Sequence, residues 1–303
     1  MIALAPSPAP SFEFAAGANV SIVIPAYNEQ EGLPRVLENL RAWRARGAEV
    51  IVVDDGSTDH TARVAAEHGA RVLRHRSNRG YGAALKSGIR AAEHEIVVLF
   101  DADGQFDAQD IEKIVDALSD NDMVVGVRPQ GAGSPNIRKP GKWLLGKTAN
   151  YLAHTNIPDL NCGFRALRVE TAKRFLNLLP NGFSFTTTLT LAMFKDGYNV
   201  AYLPITVHPR TTGASRVRVA DGFNTLLLII RIIALFDPLQ VFLPASALLF
   251  GAGIVYWFID SVSLRRPNIP SGAVILIVSA IMVFMFGILA DQVSAIRRGQ
   301  SEF

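Results

Sequence analysis

A chain of 303 residues with a net charge of +3 and a single cysteine, Cys162, cannot form an intrachain disulfide. Its lysines and arginines form no block with interleaved aromatics, so nucleic acid is not an expected partner. The length suits one soluble domain of about 200–230 residues plus an appendage, and the last third is the richest part of a 49% hydrophobic composition.

In chain order, residues 1–18 are rich in Pro, Ala and Ser and read as a disordered lead, with order beginning at Asn19. Apolar runs at 20–25, 48–54, 70–75, 95–101 and 122–127 read as strands. Between them, 31–47, the stretch from Ser57 or Thr58 (as N-cap) to Gly69, 81–93 and 107–119 read as helices, the last capped by Asp107. Near-continuous apolar strands alternating with helices predict an α/β fold with a mostly parallel sheet covered on both faces. In such sheets ligands lie beyond the carboxyl ends of the strands, which brings residues 25–29, 54–57 and 101–105 to one rim. Residues 134–154 place Arg138, Lys139, Lys142 and Lys147 beside Trp143, Leu144, Leu145 and Leu152. That pattern suits either a helix on a membrane surface or an ordinary solvated one.

Residues 239–259 and 269–290 contain no charged side chain. Each has roughly the 20 residues needed to cross a hydrocarbon core of about 30 Å, so two transmembrane helices are expected. Residues 221–238, interrupted by Arg231 and Asp237, read as an interfacial amphipathic helix, and 291–303 as a tail. Arg216, Arg218, Arg231, Arg297 and Arg298 flank the pair on the outer sides, against Arg265 and Arg266 between the spans. This bias puts the N-terminal domain and the tail in the cytosol.

The rim carries paired acids. Asp101 and Asp103 follow the most apolar strand, and both can approach one cation if the chain breaks at Gly104. Carboxylate oxygens there suit Mg²⁺ or Mn²⁺ bridging a substrate's phosphates. The plainer alternative is a turn at Asp103–Gly104 ahead of the capping Asp107. Likewise "VVDDGSTD" (52–59) is either an Asp–Gly turn or a pair, Asp54 and Asp55, that accepts hydrogen bonds from a nucleobase and ribose. "NRGYGAALKSGI" (78–89) lacks the GK[ST] ending of a phosphate loop and is expected to serve close helix–sheet packing, with Lys86 in solvent. Cys162 is expected to be a small packed residue.

These stretches, with "VSIVIPAYNEQEGL" (20–33), "DADGQF" (101–106), "NCGFRAL" (161–167) and "RTTGASR" (210–216), resemble glycosyltransferase family 2. The nearest branch is the membrane-bound polyprenyl-phosphate sugar transferases. The resemblance covers about residues 19–220 and implies a GT-A domain there. It implies a divalent metal at Asp101 and Asp103, with Gln105 able to approach it. It implies nucleotide contacts from Pro25, Tyr27, Glu29 and Asp54 or Asp55, and a closing loop carrying Arg210 and Ser215. Arg128 and Arg138 match in placement the arginines that hold an acceptor phosphate.

One departure from the family is informative. Many relatives have an acid in the helix at 183–194, where this chain has Thr186, Thr187 and Thr188. A hydroxyl acceptor needs a base, whereas a phosphate monoester, with a second pKa near ~6, is already ionised. Asp159 is the nearest remaining candidate base. The expected function is therefore inverting transfer of a hexose from a nucleotide sugar (GDP-mannose or UDP-glucose type) to a polyprenyl phosphate. The alternatives are transfer to a glycolipid or polysaccharide hydroxyl, or a non-catalytic membrane-anchored sugar-nucleotide binder. Oligomeric state is left open, a homo-oligomer included.

Overall fold

Runs of Val and Ile with no exposed residue form the centre of a seven-stranded sheet in the computed structural model. The structure describes residues 19–129, 146–147, 150–151, 155–182, 184–209, 238–264 and 269–299. The expected lead (1–18), all but the last residue of the interfacial helix (221–238), nearly all of 134–154, residues 300–303 of the expected tail (291–303), and Arg138, Arg210 and Ser215 lie outside the described residues. The chain divides near residue 221 into two units.

In the first unit the strands are β1 (Val20–Ala26), β2 (Glu49–Asp54), β3 (Arg71–Arg74), β4 (Ile96–Leu99), β5 (Met123–Val127), β6 (Arg165–Arg168) and β7 (Val200–Pro204). Their order across the sheet is β3-β2-β1-β4-β6-β5-β7. The five strands read from the sequence are present. However, β6, buried in "NCGFRAL", is inserted antiparallel between β4 and β5, and β7 adds a further parallel edge beside β5. Both were missed because four- and five-residue strands without alternation give no periodic signal.

The helices are α1 (Leu33–Asn39), α2 (Arg41–Ala45), α3 (Thr61–Glu67), α4 (Tyr81–Ala91), α5 (Asp110–Asp116), α6 (Val169–Phe175) and α7 (Phe185–Lys195). The single helix expected over 31–47 is broken at Leu40. The start expected at Ser57 or Thr58 is also corrected. α3 begins at Thr61, whose amide bonds Asp59 Oδ1, while Ser57 Oγ accepts the amide of Asn28 instead. Asp107, expected as the cap, stands ahead of it instead: its Oδ1 takes the amide of Gln109, the N-cap of α5, at 2.9 Å. α4 lies on β1 and β2. A Cβ at Gly88 would come 2.2 Å from Val23 Cγ1, so only glycine permits that approach. Lys86, expected in solvent, is half-buried and donates to Asn181 Oδ1 at 2.9 Å.

The second unit holds α8 (Leu239–Leu264) and α9 (Ser271–Gly299), both longer than the expected spans. Phe242 lies beside Gly287, Gly253 beside Ile277, and Tyr256 beside Gly272, the pairing of an antiparallel hairpin. Both helices are long and apolar enough to cross a bilayer. Large apolar side chains such as Leu248, Phe258, Ile275 and Met282 point outward, which distinguishes the hairpin from a soluble core.

Candidate active site

Strand direction gathers the site. β1, β2, β3 and β4 are parallel, and two antiparallel steps through β6 make β5 and β7 parallel to them. The segments after β1 (27–32), β2 (55–60), β3 (75–80), β4 (100–105), β5 (from Arg128) and β7 (205–209) therefore leave one rim, where the segment entering β6 (159–164) also lies. The rim inferred from the sequence is present, and it has four more contributors.

At the first corner two loops are laced together. Asn28, in the left-handed region at φ +54°, donates its amide to Ser57 Oγ and accepts the amide of Thr58 on its Oδ1, both at 2.9 Å. The amide of Glu29 bonds Thr61 Oγ1 at 2.9 Å. Tyr27 and Glu29 are half-buried here, and Pro25 is buried within β1. Asp54 is fully buried. Its Oδ1 accepts the amide of Ser57, and its Oδ2, without a hydrogen bond, lies 3.2 Å from Arg74 Nε. Asp55 is buried and accepts the amides of Arg79 and Gly80 at 2.9 and 2.8 Å, with His75 Nδ1 at 2.6 Å. Both acids thus first build the corner; any ligand contact would come in addition.

The Asp101–Gln105 turn stands on an aromatic floor. Phe100 meets Phe164 edge-on at 5.2 Å, and Phe106 lies 5.3 Å from Phe164. Gly104 has φ +71°, the break that the acid pair needed. Asp103 Oδ1 accepts the amide of Gln105 at 3.1 Å, and the carbonyl of Gln105 accepts the amide of His208 at 2.8 Å, tying the turn to the segment after β7. Asp101 accepts Tyr81 Oη at 2.9 Å. Burial, and then the neighbouring charge of Asp103, push its pKa up to about 6. Two carboxylates that repel each other in this way favour a bound cation. Among the described residues no group of three or more His, Cys, Asp or Glu is arranged for a metal. Two carboxylates instead fit Mg²⁺ or Mn²⁺, which keep water and phosphate oxygens as their other ligands.

Behind the acids lies a basic layer. Arg128 holds Asp159 by two bonds, Nε to Oδ2 at 2.7 Å and Nη2 to Oδ1 at 2.9 Å. Burial raises the Asp159 pKa, but the hydrogen bond and charge of Arg128 outweigh it and the net shift is downward. Asp159 is therefore held as a carboxylate, a poor proton acceptor. Arg165, which the sequence reading passed over, is fully buried and pairs with no carboxylate among the described residues. It donates to the carbonyls of Cys162 and Thr186 and to Thr190 Oγ1. Thr187 Oγ1 donates to Asn161 Oδ1 at 2.7 Å, and Thr186, Thr187 and Thr188 are all buried. Cys162 is buried, its thiol pushed up to about 12 by that burial, which agrees with a packed residue.

With this geometry in view, the comparisons are decisive. The model of the family described as glycosyl transferase family 2 matches residues 21–176, more than half of the chain. The chain belongs to glycosyl transferase family 2. A second model, a GtrB C-terminal hairpin, matches residues 237–296 of this glycosyltransferase, the α8–α9 pair. An uncharacterized glycosyltransferase of Mycobacterium tuberculosis is 35% identical over 209 residues, covering 67% of this chain and 91% of the relative. An undecaprenyl-phosphate mannosyltransferase of Micrococcus luteus is 29% identical over 212 residues, covering 65% and 87%. Among solved structures, glucosyl-3-phosphoglycerate synthase from Mycobacterium tuberculosis, in complex with Mn²⁺, UDP-glucose and phosphoglyceric acid, superposes with a TM-score of 0.59 at 23% identity. The match covers 72% of this glycosyltransferase and 80% of that chain, and shows that the fold is GT-A.

Proposed function

We propose that this glycosyltransferase moves a hexose from a nucleotide sugar of GDP-mannose or UDP-glucose type to a polyprenyl phosphate, with inversion at C1. The Arg128–Asp159 pair is the observation that carries the reading. It fixes the nearest candidate base in its ionised form, while α7 offers Thr186, Thr187 and Thr188 where a base-dependent relative needs an acid. An acceptor that arrives already ionised, as a phosphate monoester does near neutral pH, is matched to such a site. The undecaprenyl-phosphate mannosyltransferase among the relatives and the apolar α8–α9 hairpin support the same acceptor and a membrane location.

In this reading Asp101, Asp103 and Gln105 would hold Mg²⁺ or Mn²⁺, which would supply positive charge to offset that of the departing nucleoside diphosphate. Tyr27 and Glu29, with Asp54 and Asp55, frame the pocket for the base and ribose. Arg138, Arg210 and Ser215 receive phosphate oxygens, for which the arginine fork is suited, and Arg128, whose Nε and Nη2 already bond Asp159, adds a contact through its remaining N–H groups. Inversion follows from single displacement, because no described rim residue is a candidate covalent nucleophile. The catalytic domain faces the cytosol, as the flanking arginines direct.

The test is transfer by the full chain in detergent, with Mn²⁺ or Mg²⁺ and labelled GDP-mannose or UDP-glucose. Polyprenyl phosphate is offered beside the unphosphorylated polyprenol. Label in a mild-acid-labile lipid formed only from the phosphate supports the proposal. Transfer to the free alcohol, or donor binding without turnover, overturns it.

A further inference from the structure

We infer that Tyr81 is a positioning residue that fixes which face of Asp101 is offered to a cation. We further infer that the segment 79–81 mechanically joins this metal acid to the acid at the nucleotide corner. The inference rests on the metal reading above.

One side of the Asp101 carboxylate is closed. Tyr81, the first residue of α4, donates its hydroxyl to Oδ1 at 2.9 Å. Beside that hydroxyl the backbone of Gly163 is so close that a Cβ there would stand 2.5 Å from Oδ2 and 2.9 Å from Tyr81 Oη. Hydroxyl and backbone thus cover the same side of the carboxylate, and a ligand must approach from the other. With Oδ1 engaged, that approach favours a one-oxygen contact through Oδ2, of the kind that suits Mg²⁺.

Tyr81 is itself held in place. The amides of the two preceding residues, Arg79 and Gly80, both end on the carboxylate of Asp55. That carboxylate is steadied by His75, whose other ring nitrogen lies 2.9 Å from Ser87 Oγ on α4. One turn into the helix, the amide of Ala83 bonds the carbonyl of Asn181 at 3.1 Å. Three consecutive residues thus span from the nucleotide corner to the metal acid, anchored from a third direction ahead of α7. Partners that orient a ligating carboxylate typically change metal affinity by about 10–100-fold when removed.

The experiment uses the full chain in detergent. Mn²⁺ is titrated by the electron paramagnetic resonance signal of the free ion, with GDP and, separately, with UDP present. Turnover is followed against Mn²⁺ concentration in parallel. Tyr81→Phe is expected to weaken Mn²⁺ uptake by about 10–100-fold, with kcat recovering at saturating Mn²⁺. Gly163→Ala keeps the hydroxyl but crowds both it and Oδ2, and is expected to shift the same midpoint. A hydroxyl that merely supported the fold would lower kcat at every Mn²⁺ concentration and leave the midpoint where it was. Wild-type Mn²⁺ affinity in Tyr81→Phe overturns the inference alone. A wild-type chain that takes up no Mn²⁺ with either nucleotide overturns the metal reading and the inference with it.

Discussion

Arg128 and Asp159 meet fork to fork, Nε on Oδ2 and Nη2 on Oδ1, at 2.7 and 2.9 Å. This contact joins the end of β5 to the loop before β6. Burial alone would raise the Asp159 pKa, but the arginine outweighs burial and the carboxyl ionises more readily in the folded chain than in the unfolded one. Below the ordinary aspartate value of about 3.9 the unfolded chain therefore binds more protons, so the contribution is complete above that pH and fades as pH falls through it. Asp159→Asn is expected to lose about 2 kcal/mol at neutral pH. The gap to wild type, measured by denaturant unfolding at pH 7 and pH 3, should narrow at the lower value.

Arg165 makes a sharper prediction about stability. Its guanidinium is buried between the Cys162 carbonyl and the start of α7. Arg165→Met takes the donor from the Cys162 carbonyl, while the Thr186 carbonyl and the Thr190 hydroxyl keep the bond between them, at an expected cost of about 2 kcal/mol. Arg165→Lys should recover little of it, because an ammonium cannot span acceptors set for a planar fork. Melting temperatures of the three proteins decide the matter.

Much of this was legible in the sequence, and the boundary is physical. β1, β2 and β4 could be read because each is an uninterrupted Val/Ile run, and their parallel pairing fixed the rim. The break at Gly104 could be read because two acids around one alanine need it. β6 could not, because it enters the sheet against the direction of its neighbours, and pairing direction leaves no trace in a four-residue strand. Tyr81 was read only as part of a packing helix, since its contact with Asp101 crosses 20 residues of sequence. Ser57 looked like a helix cap, but its real partner, Asn28, lies on another loop.

The threonines of α7 test the acceptor argument. Thr187→Ala removes the 2.7 Å bond to Asn161 and should cost about 1 kcal/mol of stability. Transfer to polyprenyl phosphate should stay within a few-fold of wild type. A loss of about 100-fold in kcat, the scale of removing a general base, would instead assign that hydroxyl a chemical role.

The proposed membrane anchoring would depend on the outward faces of α8 and α9. Leu248 and Ile275 are 76% and 64% exposed in a helix pair that is otherwise apolar. Leu248→Asp costs about 3 kcal/mol if that position lies mid-bilayer. The double variant with Ile275→Asp should move a measurable fraction of the chain into the supernatant on alkaline carbonate extraction. Full retention in the pellet would show that the hairpin is not what anchors the protein.

The most direct measurement is sugar transfer by Asp103→Ala, assayed with saturating donor, polyprenyl phosphate and Mn²⁺ over a wide concentration range. If the two acids hold a cation against the diphosphate, turnover should fall by at least about 100-fold, a loss of roughly 3 kcal/mol of transition-state stabilisation, and excess Mn²⁺ should not restore it. Wild-type turnover in that variant would contradict the account.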